Sequence, residues 1–71
     1  MITAEQTIQM NGRETRVSSG TTLKSLLESK GINPNLVACE LNLGIVRRSE
    51  LANVLLKDGD VLEVLQMIGG G

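Results

Sequence analysis

The chain reads as an α+β domain in which one main helix packs across a mixed sheet of four to five strands. Three observations carry that expectation. Two alternating runs flank Asn11-Gly12; a single apolar stripe recurs at helical spacing over Leu23, Leu26 and Leu27; and three further short apolar runs follow, each bounded by turn residues. At 71 residues there is room for one domain. A domain of this size buries only roughly 60 % of the surface its unfolded chain exposes, so its core must be efficient.

Thr7-Ile8-Gln9-Met10 alternates polar and apolar, and Arg13-Glu14-Thr15-Arg16-Val17 alternates again after Asn11-Gly12. Both central residues of a type I′ turn need positive φ, which makes Asn-Gly between alternating runs a strong hairpin signal. Ile8, Met10, Thr15 and Val17 then face inward, while Glu14 and Arg16 face water. Ile2 and Ala4 keep the same phase, which extends the expected strand toward the N-terminus. Ser18-Ser19-Gly20-Thr21 is a turn cluster, and Thr22 is placed to cap a helix. Leu23, Leu26 and Leu27 fall at i, i+3 and i+4, one buried stripe opposite Lys24, Ser25, Glu28 and Ser29. Lys30 suits the negative end of that helix and Gly31 its left-handed cap, which predicts two to three turns.

Pro34 belongs to the connection that follows. Val37-Ala38-Cys39-Glu40-Leu41 reads as a strand with Val37, Cys39 and Leu41 inward. Asn42-Leu43-Gly44 is a turn, Ile45-Val46 a short strand, and Ser49-Glu50-Leu51-Ala52 a helical turn leading to Val54-Leu55-Leu56. Lys57-Asp58-Gly59-Asp60 is a tight turn before the last strand, Val61 to Gln66. A helix over one face of such a sheet satisfies these elements in two layers, with the first and last strands parallel at the centre. That is the β-grasp architecture. Residues 1–68 form the expected domain, and Gly69, Gly70 and Gly71 a flexible tail.

Composition narrows the chemistry. Hydrophobic residues make up 41 % of the chain and none is aromatic, so the core is aliphatic and offers no platform for stacking bases. A net charge of −1 lacks the basic footprint that nucleic acid requires. The N-terminus lacks the basic-then-apolar pattern of a signal peptide, and no run approaches the ~20 apolar residues that cross a bilayer. The expectation is a cytoplasmic protein that binds neither nucleic acid nor membrane. There is one cysteine, Cys39, so no intrachain disulfide forms. Without histidine the usual base near neutral pH is missing, and no cluster of ligands suits a metal. Cys39 lies at an inward position of an apolar strand, where packing outweighs reactivity. Asp58 and Asp60 flank a turn glycine and serve local hydrogen bonds better than catalysis. No catalytic residue, metal or bound cofactor is expected, and the chain is not expected to be an enzyme by itself.

The glycine end stands apart. Ordering a residue costs ~1–2 kcal/mol, and glycine most of all, so three terminal glycines have no folding role. Their merit is slimness: a tail without side chains threads a narrow channel and presents its carboxylate to another protein's ATP. A carboxylate is a poor electrophile until it is adenylated; sulfur then attacks the acyl-adenylate to give a thiocarboxylate. If Leu62 and Val64 face the helix, Leu65 and Met67 are apolar and exposed beside this tail and offer a docking patch. Arg47 and Arg48 could steer an acidic partner, or simply solvate a turn.

The segments Met10-Asn11-Gly12, Gly20 to Leu27, Val37 to Asn42, Ile45 to Leu51 and Leu56 to Val64, together with the glycine end, resemble the ThiS family of thiamine-biosynthesis sulfur carriers, relatives of the MoaD-type carriers. The resemblance runs in order from about Thr7 and implies the ubiquitin-like β-grasp fold. It implies that an activating enzyme adenylates Gly71 with its own ATP. A sulfurtransferase or cysteine desulfurase then supplies sulfur, and a thiazole synthase receives it. Gly70 and Gly71 carry over from the family's terminal glycine pair. The family commonly has Val-Pro-Arg followed by Trp; here Val46-Arg47-Arg48 and Leu51 stand in those places, which predicts a less rigid turn and a smaller packing group. Other readings are a carrier for molybdopterin or cysteine formation, a modifier joined through Gly71 to lysine amines, and a plain interaction domain with incidental glycines.

Overall fold

The computed structural model describes residues 4–67. Its elements are β1 (Glu5–Met10), β2 (Arg13–Ser18), α1 (Leu23–Ser29), β3 (Val37–Leu41), β4 (Gly44–Val46) and β5 (Val61–Gln66), with 3₁₀ turns at Pro34–Leu36 and Arg48–Glu50. The five strands form one sheet in the order β2-β1-β5-β3-β4. β1 and β5 run parallel at its centre, and the remaining neighbours are antiparallel.

Local chemistry explains most boundaries. The β1–β2 hairpin closes on Asn11 and Gly12, both at positive φ, pairing Met10 with Arg13. Helix α1 opens on a reciprocal cap: the Ser25 amide donates to Thr22 Oγ1 at 3.1 Å, and the Thr22 amide donates to Ser25 Oγ at 3.0 Å. It ends at Lys30, with Gly31 at φ 74° just beyond. Seven residues make about two turns, the short end of the expected length.

The core lies between α1 and one face of the sheet. Ile8, Leu23, Leu27, Leu56 and Leu62 are fully buried, and Val17, Leu26, Val37, Cys39 and Leu51 complete the cluster. Glu14 and Arg16 are exposed, as their phase predicted. Two expectations shift. β1 begins at Glu5, leaving Ala4 exposed outside it; Ile2 lies outside the described residues. The helical turn expected at residues 49–52 is a 3₁₀ turn at Arg48–Glu50. Asn33 caps a second such turn by accepting from the Asn35 amide at 2.9 Å, with Pro34 at its first position, where a missing N–H costs nothing. Finally, Leu51 is 3 % exposed, so leucine fills the inward position that the Trp comparison flagged.

Candidate functional site

Of the candidate site residues, Leu65 and Met67 lie at the C-terminal end of β5, the central strand of the sheet. Its entry is fixed by the Lys57–Asp60 turn. Gly59 takes φ 86°, and the Asp60 amide donates to the Lys57 carbonyl at 3.1 Å. Asp60 is buried, and its carboxylate accepts from the Lys57 amide at 2.8 Å and from Asn42 Nδ2 at 3.0 Å. Asn42 Oδ1 in turn accepts from the Val61 amide at 2.9 Å. Asp58 reaches further than the local role expected of it, accepting from the Thr7 amide at 2.7 Å. Both aspartates therefore tie the start of β5 to β1 and to the β3–β4 turn.

Further along, β1 ends at Met10, and the side chain of Asn11 replaces it as a strand partner. The Val64 amide donates to Asn11 Oδ1 at 2.7 Å, and Asn11 Nδ2 donates to the Val64 carbonyl at 3.2 Å. The Asn11 amide also donates to the Leu62 carbonyl at 2.9 Å. On the opposite side β3 pairs with β5 as far as Gln66, and the Met67 amide donates to the Leu36 carbonyl at 2.9 Å. Backbone bonds therefore hold the strand up to Met67. Whatever follows Met67 starts from a rigid base.

Leu62 faces the core, Val64 packs half-buried against it, and Leu65 and Met67 are 60 % and 54 % exposed, which matches the face assignment made from alternation. Arg47 and Arg48 are both exposed but separate. Arg47 directly follows β4, whereas Arg48 lines a cavity of about 380 Å³ beside Lys24, Glu28 and Asn35 on the helix side. The structure thus brings Leu65 and Met67 together and sets Arg48 apart from them. Gly69, Gly70 and Gly71 lie outside the described residues. Cys39 sits between Val46 and Val64 in the sheet register, 3 % exposed, and burial pushes its thiol pKa up, away from nucleophilic use at neutral pH. Sequence reasoning missed the Asn11 and Asn42 amide clamps, because nothing in a local pattern tells a turn asparagine that its partner is a distant strand.

A helix laid over a five-stranded mixed sheet, with a clamped central strand leading out toward a glycine end, defines a ubiquitin-like β-grasp domain. The ThiS family model matches residues 2–71, so the chain belongs to the ThiS family. The sulfur carrier protein ThiS of Thermus thermophilus is 39 % identical over 64 residues, covering 90 % of this chain and 98 % of that protein. A thiazole synthase of Paramagnetospirillum magneticum is 44 % identical over 62 residues, 87 % of this chain; the match spans only about a fifth (19 %) of that longer protein. The crystal structure of the thiamine biosynthesis protein ThiS from Geobacter metallireducens superposes with a TM-score of 0.77 at 28 % identity, covering 93 % of this chain and all of that one. Among the described residues no helix is long and apolar enough to cross a membrane.

Proposed function

We propose that the chain is a sulfur carrier for thiazole formation in thiamine biosynthesis, with the carboxylate of Gly71 as its working group. The observation that carries this reading is the family match, which runs through the terminal glycines of a chain whose clamped central strand leads toward them. In the proposed cycle a Gly71 carboxylate oxygen attacks the α-phosphorus of ATP held by an activating enzyme, and pyrophosphate leaves. The outer sulfur of a persulfide on a sulfurtransferase or cysteine desulfurase then attacks the acyl carbon, and AMP leaves. A second thiol cleaves the S–S bond of the acyl disulfide so formed, leaving a disulfide on the donor and releasing the thiocarboxylate. The resulting thiocarboxylate gives its sulfur to a thiazole synthase. The domain contributes position rather than chemistry: β5 holds the base of the tail, Gly69 and Gly70 pass through a narrow channel, and ATP belongs to the partner. A thiazole synthase that contains a segment 44 % identical to this chain supports that choice of acceptor over molybdopterin or cysteine pathways.

The test is intact-mass measurement after incubation with ATP, the activating enzyme and a sulfur source. The expected result is a mass gain equal to exchange of one oxygen for sulfur, absent when Gly71 is deleted. No gain with an activating enzyme that turns over another carrier overturns the reading. Higher-mass adducts on lysines would instead establish a modifier.

A further inference from the structure

Asn11 is the one asparagine of this chain that a glycine follows; Asn33, Asn35, Asn42 and Asn53 precede Pro34, Leu36, Leu43 and Val54. That dipeptide is chemically labile. Glycine has no side chain to obstruct its own nitrogen, which closes a five-membered ring on the preceding carboxamide more readily than any other residue's. Apart from its chain neighbours, no heavy atom lies within 4 Å of where a Cβ on Gly12 would sit, so water and hydroxide reach this turn.

The fold opposes the ring closure. In the sheet order β2-β1-β5-β3-β4, Gly12 turns the chain toward β2, whereas the Asn11 side chain reaches the other way, to β5. The Val64 amide donates to Asn11 Oδ1 at 2.7 Å, and Asn11 Nδ2 donates to the Val64 carbonyl at 3.2 Å, a pairing across 53 residues. The Asn11 amide donates to the Leu62 carbonyl at 2.9 Å, which fixes the main chain beside it. Attack requires the Gly12 nitrogen to approach Cγ from above the carboxamide plane. Two bonds to one residue of β5 hold that plane, and both must break before the side chain swings free.

We infer that Asn11 is a self-modification site gated by β5, closed while Val64 holds its carboxamide and converted to aspartate or isoaspartate when the strand lets go. Hydroxide takes the Gly12 amide proton, and the nitrogen bonds to Asn11 Cγ. The Cγ–Nδ2 bond breaks, and the nitrogen leaves as ammonia with a proton from water. One water then opens the ring at either carbonyl, so the net change is a carboxamide and water to a carboxylate and ammonia. Neither product restores the clamp. Aspartate sets a carboxylate oxygen against the Val64 carbonyl, two acceptors without a proton between them. Isoaspartate adds a carbon to the main chain of a two-residue turn that pairs Met10 with Arg13. Each opening of β5 therefore risks a lasting loss of the contact that steadies it. This chemistry is independent of any sulfur transfer.

The test incubates the full-length chain in mildly alkaline buffer, with and without denaturing urea, and follows residue 11 by peptide mapping and mass spectrometry. Exchange of the amide NH2 for OH marks the reaction, and isoaspartate elutes apart from aspartate. The folded chain is expected to react about tenfold or more slowly than the unfolded one. Asn42→Gly removes the side-chain bonds to Val61 and Asp60, and Leu62→Ala empties a fully buried position; both loosen β5 and leave the β1–β2 hairpin untouched. Each is expected to speed modification of Asn11 by about threefold or more, and Asn42→Gly alone decides should Leu62→Ala not fold. Asn11→Asp, which reproduces one product, is expected to lower Tm by about 4 °C or more. A folded chain that reacts as fast as the unfolded one overturns the inference. So does an unchanged rate in Asn42→Gly, or an Asn11→Asp chain as stable as the parent.

Discussion

Arg47 holds φ −66° and ψ 146°, a conformation that a proline ring would impose, and it does so without one. The rigidity expected to be lost is therefore supplied by the surrounding fold, while the unfolded chain keeps the freedom of an arginine. Arg47→Pro should raise unfolding free energy by about 0.4–1 kcal/mol, measurable as a shift of the urea midpoint at constant slope. Cys39 behaves as a buried hydrophobe, and its thiol resists ionisation because burial disfavours the thiolate. The sign follows directly. The folded pKa lies above the unfolded one, so this contribution is intact below the ordinary thiol range and is lost as pH rises through it. Between about pH 8 and 10 stability should fall more steeply for the parent than for Cys39→Ala, and alkylation of Cys39 should keep pace with unfolding rather than with free thiol chemistry.

At the scale of elements, α1 is too short to persist alone, since isolated helices below ~12–15 residues are marginal in water. Its stability comes from the stripe of Leu23, Leu26 and Leu27 against the sheet and from the reciprocal Thr22–Ser25 cap. Thr22→Ala should cost about 1 kcal/mol of global stability by chemical denaturation, with the fold unchanged by circular dichroism. The helix limits, the first hairpin and the span of β3 and β5 were legible because each rests on a local rule: a cap, a left-handed glycine, a period of two. The start of β1 was not, because alternation continues into Ala4, whose carbonyl still accepts from the Ser19 amide at 2.7 Å, while the strand itself begins at Glu5. The 3₁₀ turn at Pro34–Leu36 was likewise hidden, since a proline marks a break without specifying the turn it makes.

Taken whole, the molecule is a sheet with one covered face and one open one, and its central strand is held from both sides. Deleting Gly70 and Gly71 should leave Tm and partner affinity within error while abolishing the sulfur mass gain. A drop in Tm would instead give the tail a folding role that glycine entropy argues against. The open face collects the exposed Ile45, Val61 and Leu65 around Glu40 and Glu63, whereas the helix-side cavity takes Arg48. The sequence set a docking patch at Leu65 and Met67 and offered Arg47 and Arg48 for steering or for a solvated turn. It could not show that Arg48 lines the helix-side cavity, because the two arginines are adjacent in the chain.

The amino-acid sequence contained the element types, the face each strand buries, the aliphatic core and the glycine end, because these follow from short-range periodicity and from the backbone preferences of Gly, Asn and Thr. Even the central parallel pair was inferable from the order of elements. The tertiary structure alone decided the register that sets Glu40 against Glu63, the asparagine clamps on Val61 and Val64, and the link from Asp58 to Thr7 across 51 residues. Those contacts join segments far apart in the chain, and no local pattern encodes which of many possible partners a strand edge or a turn amide will meet.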